Sequence, residues 1–122
     1  MHTDRNRRLV YEFFEALRNA DLSAFDRLVA AEYQQHNPQA ANGRQGLKDF
    51  VAAAGGLDVE IHRTLAEADL VAVHGHLRTW NMAVIDIFRF GEDGRIVEHW
   101  DVIQPVAESS VSGNDMFAQV TR

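Results

Sequence analysis

The chain has 122 residues, of which 46% are hydrophobic and 25% are charged, a composition typical of a soluble globular protein with one core. Its 12 basic and 18 acidic residues give a net charge of -6, which excludes the broadly basic surface that binds nucleic acid or anionic membranes. The chain has no Cys, so disulfides and thiolate nucleophiles are excluded as well. The first residues contain no apolar run long enough for a signal peptide or a membrane span, and we expect a cytoplasmic protein.

The first half of the chain is predicted to contain three helices. The first helix begins near Thr3 or Asp4, either of which can cap it, and ends near "RNAD". Its apolar stripe has helical spacing and consists of Leu9, Val10, Phe13, Phe14 and Leu17. A short second helix begins at Asp21, with an apolar face of Leu22, Phe25, Leu28 and Val29. The third helix presents Leu47, Phe50, Val51 and Ala54 and ends at Gly55-Gly56.

The second half changes to the period-two pattern of strands. Four segments show it: "LDVEIHRTLAEAD", "LVAVHGHLRTW", "MAVIDIFRF" and "RIVEHWDVIQ". The last two are joined by "GEDG", which predicts a hairpin turn. Helices followed by hairpin-connected strands predict one α+β domain over residues 1–122, with helices on one face of an antiparallel sheet. Residues 106–122 form a weakly patterned tail that we expect to lie over the surface or over a partner subunit.

The segment "IVEHWDVIQ" raises a chemical question, because it has the apolar content of a buried strand yet contains an imidazole and a carboxylate two positions apart. By strand alternation, one face carries Val97, His99, Asp101 and Ile103, and the other carries Ile96, Glu98, Trp100 and Val102. A carboxylate or an imidazole on a half-buried face needs a partner.

The hairpin supplies that partner in one of two registers. If the turn is a two-residue loop of Glu92 and Asp93, Asp86 faces His99 and the face holds two carboxylates around one imidazole. A one-residue bulge at Gly94 would instead turn Asp86 toward Trp100. The turn sequence alone leaves both registers open.

Three stretches resemble one family. "YEFFEALRNADL", "YQQHNPQAANGRQGLKDF" and "VIDIFRFGEDGRIVEHWDVIQ" are similar to the nuclear transport factor 2-like superfamily, especially its SnoaL-like polyketide cyclase branch. The resemblance implies a cone-shaped curved sheet closed by three N-terminal helices around a pocket. It also implies a small-molecule ligand and a homodimer through the outer sheet face.

The resemblance also implies roles for individual residues. Cyclases of this branch use an Asp of the last strand as general acid/base, which matches Asp101. In the ketosteroid isomerase family, alternate residues of this strand face the pocket, and they match His99, Asp101 and Ile103. "IDIFRF" is similar to the ketosteroid isomerase segment whose Asp helps to form the oxyanion hole, which matches Asp86. Phe88 follows on the same face as Asp86 and is expected to contact substrate.

Two departures argue against ketosteroid isomerase activity itself. Phe13 or Phe14 stands where the isomerase has its oxyanion Tyr, so these rings are expected to line the substrate site without a hydroxyl. Where the isomerase has its catalytic Asp before a Pro, this chain reads "HNP", which places His36 or Asn37 there.

Acid/base chemistry next to a carbonyl needs a base and a donor for the developing oxyanion. Asp101 is the candidate base, and His36 or a protonated Asp86 is the candidate donor. No cofactor is expected, since the chain has no phosphate loop or dinucleotide fingerprint. A purely structural His99–Asp101 pair is the alternative. A metal site formed by His36, Asp86, His99 and Asp101 is a further one, although no local ligand spacing supports it and we predict no metal.

Two other features are assigned to the outer face. His74 and His76 of "HGH" share a strand face with Arg78 and Trp80, opposite the apolar residues, so we expect them on the outer or dimer face. The predicted dimer contacts are Trp80, Trp100, Ile85 and Ile87.

Two function classes follow from the sequence. The first is a cofactor-independent cyclase, isomerase or lyase that acts on a small apolar carbonyl compound. The second is a non-catalytic domain that binds a small ligand, because this fold hosts both.

Overall fold

The computed structural model describes residues 2–118. Its helical elements are α1 (Thr3–Asn19), a 3-10 turn (Leu22–Ala24) that runs into the short α2 (Phe25–Leu28), and α3 (Gly43–Ala54). Its strands are β1 (Val29–Gln35), β2 (Val59–Glu67), β3 (Leu70–Leu77), β4 (Met82–Phe90) and β5 (Ile96–Pro105). None of the helices in this part of the chain has the length and apolar character needed to cross a membrane.

The helices end where backbone geometry allows a reversal. The α1 helix ends at Ala20, which adopts a left-handed conformation (φ 50°) and donates its N–H back to the last turn. The α3 helix ends at Gly55 (φ 73°), as the sequence predicts. Gly56 follows at φ 104°, and a Cβ there would lie 2.8 Å from the Arg18 carbonyl oxygen. The Gly55-Gly56 pair therefore lets α3 end directly against the end of α1.

The strands form one open sheet in the order β1-β5-β4-β3-β2. The predicted α+β class is confirmed, and the helices cover one face of the sheet, with α1 against β2 and β3 and α3 against β1. The sheet is mixed rather than purely antiparallel, because the edge strand β1 pairs in parallel with β5. The core lies between the helices and this inner face and is built around the buried side chains of Val10, Phe25, Tyr33, Phe88 and Ile96.

Strand β1 is the element that the sequence pattern missed. The prediction assigned Val29 to the apolar face of the second helix, whereas Val29 is the first residue of β1. The segment "VAAEYQQ" has little β-branched or aromatic content, and it becomes a strand through pairing with residues more than sixty positions away: Gln35 aligns with His99. Tertiary pairing thus overrides a weak local preference.

The β4–β5 hairpin contains two irregularities, whereas the sequence analysis considered at most one. The N–H of Gly94 (φ 83°) donates to the Gly91 carbonyl oxygen at 3.0 Å, and the Gly91 N–H donates to the Arg95 carbonyl oxygen at 2.9 Å, so Gly91 faces Arg95. A second register shift follows, because Phe90 pairs with Ile96 while Arg89 pairs with Glu98, which leaves Val97 as the extra residue. Asp86 therefore pairs with Asp101, and the predicted pairing of Asp86 with His99 is wrong by two positions.

The two irregularities together keep the predicted face. One bulge alone would have turned Asp86 toward Trp100, but the second shift restores the alternation, so Asp86, His99 and Asp101 share the inner face. Ile96 is the exception: it belongs to the core with Phe90, whereas simple alternation placed it on the outer face.

The tail crosses the outer face of β2 and β3 as far as it is described; residues 119–122 lie outside the described part. The Phe117 ring stacks on His76 at 4.7 Å and on His62 at 4.9 Å between centroids. The Arg63 guanidinium donates to the Phe117 carbonyl oxygen at 3.0 Å. His74 and His76 are on the outer face, and the tail covers part of it.

Candidate functional site

The inner face of the sheet and the helices enclose a cavity of about 500 Å³, which is within the usual size of a small-ligand site. Most of its wall is apolar, and the rings of Phe13, Phe14 and Phe88 pack edge to face within it. Its polar side chains include Tyr33, Gln35, Asn37, Asp86, His99 and Asp101. The cavity therefore combines an apolar body with one polar wall.

The polar wall is assembled by β1 and the residues that follow it. Alternation along this segment turns Tyr33, Gln35 and Asn37 into the cavity and turns the intervening residues away. The parallel pairing continues past the strand end, since the His36 N–H donates to the His99 carbonyl oxygen at 3.0 Å. Each inward side chain of this segment is thereby held beside β5.

Gln35 orients the imidazole of His99. The Asn37 backbone N–H donates to Gln35 Oε1 at 3.1 Å, and because a backbone N–H can only donate, this bond identifies the oxygen of the amide. His99 Nδ1 lies 2.7 Å from the same oxygen. Since that oxygen only accepts, Nδ1 carries a hydrogen, and Nε2 is the nitrogen that exchanges protons.

Asp86 is the partner of that nitrogen. Its Oδ1 lies 2.8 Å from His99 Nε2, and both residues are buried. Burial raises the pKa of Asp86, and the hydrogen bond from His99 opposes the rise. One proton lies between the two groups, as an ion pair or as two neutral groups, so the pair has no net charge in either form.

Asp101 is held by a different amide. Asn37 Nδ2 lies 2.8 Å and 3.0 Å from the two Asp101 oxygens, and Asn37 Oδ1 accepts from the Gln39 backbone N–H at 2.7 Å, which identifies the Asn37 oxygen in the same way. Asp101 Oδ2 is 4.0 Å from His99 Nε2. The Asp101 carboxylate, which accepts hydrogen bonds at both oxygens, therefore lies beside the Asp86–His99 pair, which has no net charge.

His36 lies outside this arrangement. Its Nε2 is 2.7 Å from Glu98 Oε2, and its ring stacks on Trp100 at 5.0 Å between centroids. Glu98 and Trp100 belong to the opposite face of β5, so alternation of β1 turns the imidazole away from the cavity. Of the two residues that the "HNP" motif offered, the structure brings Asn37 to the polar wall.

The remaining predicted residues line the cavity, and the structure adds several that the sequence reasoning missed. Phe13, Phe14, Phe88 and Ile103 are all in the wall. Tyr33 and Gln35 were missed because β1 was not recognised, although the alternation of "YQQHN" carried the signal. Trp80 was assigned to the outer face, but β3 ends at Leu77 and the indole lies at the cavity mouth, edge to face with Phe50 at 6.1 Å between centroids.

The loop from Asn37 to Asn42 forms another side of the mouth, with Pro38, Gln39 and Ala40 in the wall. Its far end is fixed by Asn42 Oδ1, which accepts from the Gln35 backbone N–H at 2.7 Å. Gly46 allows the loop to pack closely against α3, since any side chain at that position would overlap the Ala41 carbonyl. The loop is thus attached to the sheet and to α3 on both sides of its wall-forming residues.

Asp86, His99 and Asp101 also form the one metal-ligand grouping among residues 2–118, each offering an atom within 4.8 Å of the others. In the structure, His99 Nε2 and Asp86 Oδ1 of this grouping are hydrogen-bonded to each other at 2.8 Å. His36, the fourth ligand of the metal alternative, belongs to the other face. The direct bond between His99 and Asp86 favours proton chemistry at this wall.

Solved structures share this fold at low sequence identity. An NTF-2-like protein from Burkholderia xenovorans superimposes with a TM-score of 0.78 and 16% identity over 99% of each chain. A steroid delta-isomerase from Pseudomonas aeruginosa has a TM-score of 0.64 and 24% identity over 89% of this chain and 82% of its own. A SnoaL-like polyketide cyclase from Agrobacterium tumefaciens has a TM-score of 0.66 and 12% identity over 81% and 91%.

The sequence comparisons match the chain to a domain family and not to an individual curated protein. No curated protein matches the chain. The family model described as the SnoaL-like domain matches residues 10–99, which takes in the helices, β1 and the start of β5 and ends two residues before Asp101. The chain is therefore a member of the SnoaL-like domain family.

Proposed function

We propose that the protein is a cofactor-independent acid/base enzyme that removes a proton from a carbon next to a carbonyl group, with Asp101 as the base. The observation that carries the proposal is the Asp101 carboxylate, held by Asn37 at the polar wall of an otherwise apolar cavity. A base in this position is desolvated on binding of an apolar compound and points at its edge. Isomerases and cyclases among the structural neighbours lend the proposal fold-level support.

The proposed step balances within the site. The substrate C–H bond breaks, an O–H bond forms on Asp101, and the electron pair moves through the carbon to the carbonyl oxygen to give an enolate. Asp101 then exchanges its proton with solvent and returns one to the same carbon, which gives exchange, or delivers the proton to another carbon of the enolate system, which gives isomerisation. Asp86 and His99 remain a neutral pair beside it, so they add no second negative charge next to the enolate.

The cavity indicates the class of substrate. Aromatic and aliphatic side chains form most of its wall, and within residues 2–118 no Lys or Arg lines it. A phosphate or carboxylate would meet Asp101 there without a cationic partner, at a large desolvation cost. The proposed substrate is therefore a small, uncharged ring compound with one carbonyl.

The experiment uses β-tetralone, an apolar bicyclic ketone with acidic protons beside its carbonyl. In D2O, the protein exchanges these protons for deuterium, and proton NMR follows the loss of signal. Asp101→Asn keeps the shape but removes the proton acceptor, so the exchange rate falls by roughly 10²- to 10⁴-fold while ketone binding persists. Asp69→Asn, in an exposed turn, is the matched control and exchanges at the wild-type rate.

The alternative class predicts a different result. A non-catalytic binding domain takes up β-tetralone saturably but does not accelerate exchange above the buffer rate. If Asp101→Asn exchanges within about tenfold of wild type and only melts earlier, Asp101 is a structural partner of Asn37 rather than the base. Exchange that survives excess EDTA separates the acid/base mechanism from one that uses a cation.

We also propose a homodimer through the outer sheet face. Ile85 is 41% exposed and Val102 71% exposed, and the two pair side by side on β4 and β5, next to the half-buried Trp100 and Ile87. A contiguous apolar patch on a sheet face supports an interface. Trp80, which the sequence assigned to this contact, belongs to the cavity mouth instead.

A further inference from the structure

We propose that the Tyr33 hydroxyl is the hydrogen-bond donor that holds the substrate carbonyl oxygen, and that Gln35 directs it there. The inference rests on the proposed enolate chemistry, which requires a donor for the oxygen that gains charge. Neither of the donors considered from sequence meets this need. His36 faces the other side of the sheet, and the proton of the Asp86–His99 pair lies between those two groups.

Tyr33 is buried within the cavity wall, with 1% of its surface exposed. Its hydroxyl oxygen lies 2.9 Å from Gln35 Nε2. The Gln35 oxygen is already identified by the Asn37 N–H that it accepts, so the nitrogen is the atom that faces Tyr33. Gln35 therefore donates to the tyrosine, and the tyrosine oxygen is the acceptor in this bond.

The direction of that bond decides where the tyrosine hydrogen goes. A phenol that accepts one bond still has its own O–H to donate. Among residues 2–118, no protein acceptor takes this hydrogen, while the oxygen that bears it belongs to a residue of the cavity wall. The bond from Gln35 also polarises the O–H group and strengthens it as a donor.

The electrostatic surroundings keep this donor protonated. Burial raises the pKa of Tyr33 far above its ordinary value, the hydrogen bond from Gln35 opposes the rise, and the nearby Asp86 and Asp101 carboxyl groups add to it. Tyr33 thus remains neutral while Asp101 cycles between its two forms. A buried neutral donor beside a carboxylate base supplies both groups that enolisation requires.

The first test measures the carbonyl directly. Carbonyl-labelled β-tetralone is bound to wild type and to Tyr33→Phe, and the C=O stretch of the bound ketone is recorded by difference infrared spectroscopy. We expect the stretch to move to lower frequency in wild type and to lose most of that displacement in Tyr33→Phe. The exchange rate in D2O falls by about 10²- to 10³-fold in the same variant, as for loss of one oxyanion donor. Tyr11→Phe, on the exposed side of α1, is the matched control.

A second measurement avoids dependence on the folding of the variant. The chain has 2 tyrosines, so uniform incorporation of fluorotyrosine gives one fluorine signal from the cavity and one from the exposed Tyr11. Addition of β-tetralone shifts the Tyr33 signal more than tetralin does, the matched hydrocarbon without the carbonyl. The Tyr11 signal stays in place with both ligands.

The outcomes separate this inference from the proposed function. An unchanged C=O stretch in Tyr33→Phe, or equal fluorine shifts with ketone and hydrocarbon, overturns the role of Tyr33 even if exchange depends on Asp101. A Tyr33-dependent stretch without any exchange supports Tyr33 as the oxygen ligand and contradicts the enzyme. Absence of saturable binding of β-tetralone contradicts the ligand class and this inference with it.

Discussion

Strand β5 carries an acid–imidazole grouping on each of its two faces, and the two differ in burial. On the inner face, Asp86 and His99 are 8% and 7% exposed. On the outer face, the Glu98 carboxyl group lies between His36 and Arg89, at 2.7 Å from each, and both basic side chains are more than a third exposed. The inner carboxyl–imidazole pair is thus buried as a whole, whereas the basic partners of the outer carboxyl group reach solvent.

The pKa shifts of the two carboxyl groups have opposite signs. Burial raises the pKa of Asp86, whereas the hydrogen bonds from His36 and Arg89 lower the pKa of Glu98. Asp86 has a single partner and little water, so desolvation dominates. Glu98 has two basic partners, both of which reach solvent, so attraction dominates. Pairing with an imidazole therefore does not by itself set the acidity of a carboxyl group in this fold.

Removal of the imidazole from each face is expected to give the largest difference in stability between the two groupings. His99→Leu leaves Asp86 buried without its partner, and we expect a loss of about 3 kcal/mol in the free energy of unfolding at neutral pH. His36→Leu leaves Glu98 with Arg89 and water, and we expect a loss below about 1 kcal/mol. Urea unfolding of the two variants measures both.

The pH dependence of the stability of His99→Leu gives the sign of the pKa shift of Asp86. A buried Asp86 has a raised pKa in the folded state, so the folded protein binds the proton more tightly than the unfolded chain does. Stability is then greatest below the pKa of the unfolded carboxyl and decreases as pH rises through the folded pKa. The deficit of His99→Leu should shrink as pH is lowered from neutral. Equal losses in the two variants, or a deficit independent of pH, would contradict the assignment.

A dimer through the outer face would alter the comparison, because it would exclude water from the surroundings of Glu98. Ile85→Arg places a charge at the centre of the apolar patch, and we expect association to weaken by at least about thirtyfold, or about 2 kcal/mol. Sedimentation equilibrium measures this change. Tyr11→Arg, on the helical side, leaves association unchanged. A wild-type protein that is monomeric at micromolar concentration would refute the dimer.

The effect expected from Glu98 is smaller than those expected from His99 and Ile85. Because its folded pKa is lowered, its contribution to stability is present above the unfolded carboxyl pKa and is lost as pH falls through the folded pKa. Glu98→Gln should lower the melting temperature at neutral pH by about 3 °C, equivalent to about 1 kcal/mol. That difference should shrink as pH falls below the ordinary pKa of a Glu side chain and disappear once pH is below the lowered folded pKa. Glu108→Gln in the exposed tail serves as the control, and a difference that persists in acid would count against the ion pairs.

The helices and the hairpin strands were predictable because their signals are local. The apolar stripe of α1, the Gly55-Gly56 stop and the period-two segments each depend on residues a few positions apart. The face shared by His99 and Asp101 followed from alternation, and the resemblance to the isomerase segment placed Asp86 with them. The register did not, since the extra residue, Val97, lies inside the strand and carries no turn signal.

The missing half of the polar wall has one physical origin. β1 is an edge strand stabilised by a parallel partner far along the chain, so its sequence carries little strand preference of its own. Because β1 was not recognised as a strand, alternation could not be applied to Tyr33, Gln35 and Asn37. The "HNP" motif therefore did not distinguish His36 from Asn37. The assignment of Trp80 failed in a similar way, because alternation was extended beyond Leu77, where β3 ends.

The attachment of the Asn37–Asn42 loop bears on how relatives of this protein diversify. Asn37 holds Asp101, Asn42 fastens the far end, and the side chains of Pro38, Gln39 and Ala40 between them line the cavity mouth. These three positions can change without moving a proton-carrying group. In the proposed enzyme, the residues that would select the ligand are therefore separate from those that would transfer protons, and exchange of this short segment would change the ligand range alone.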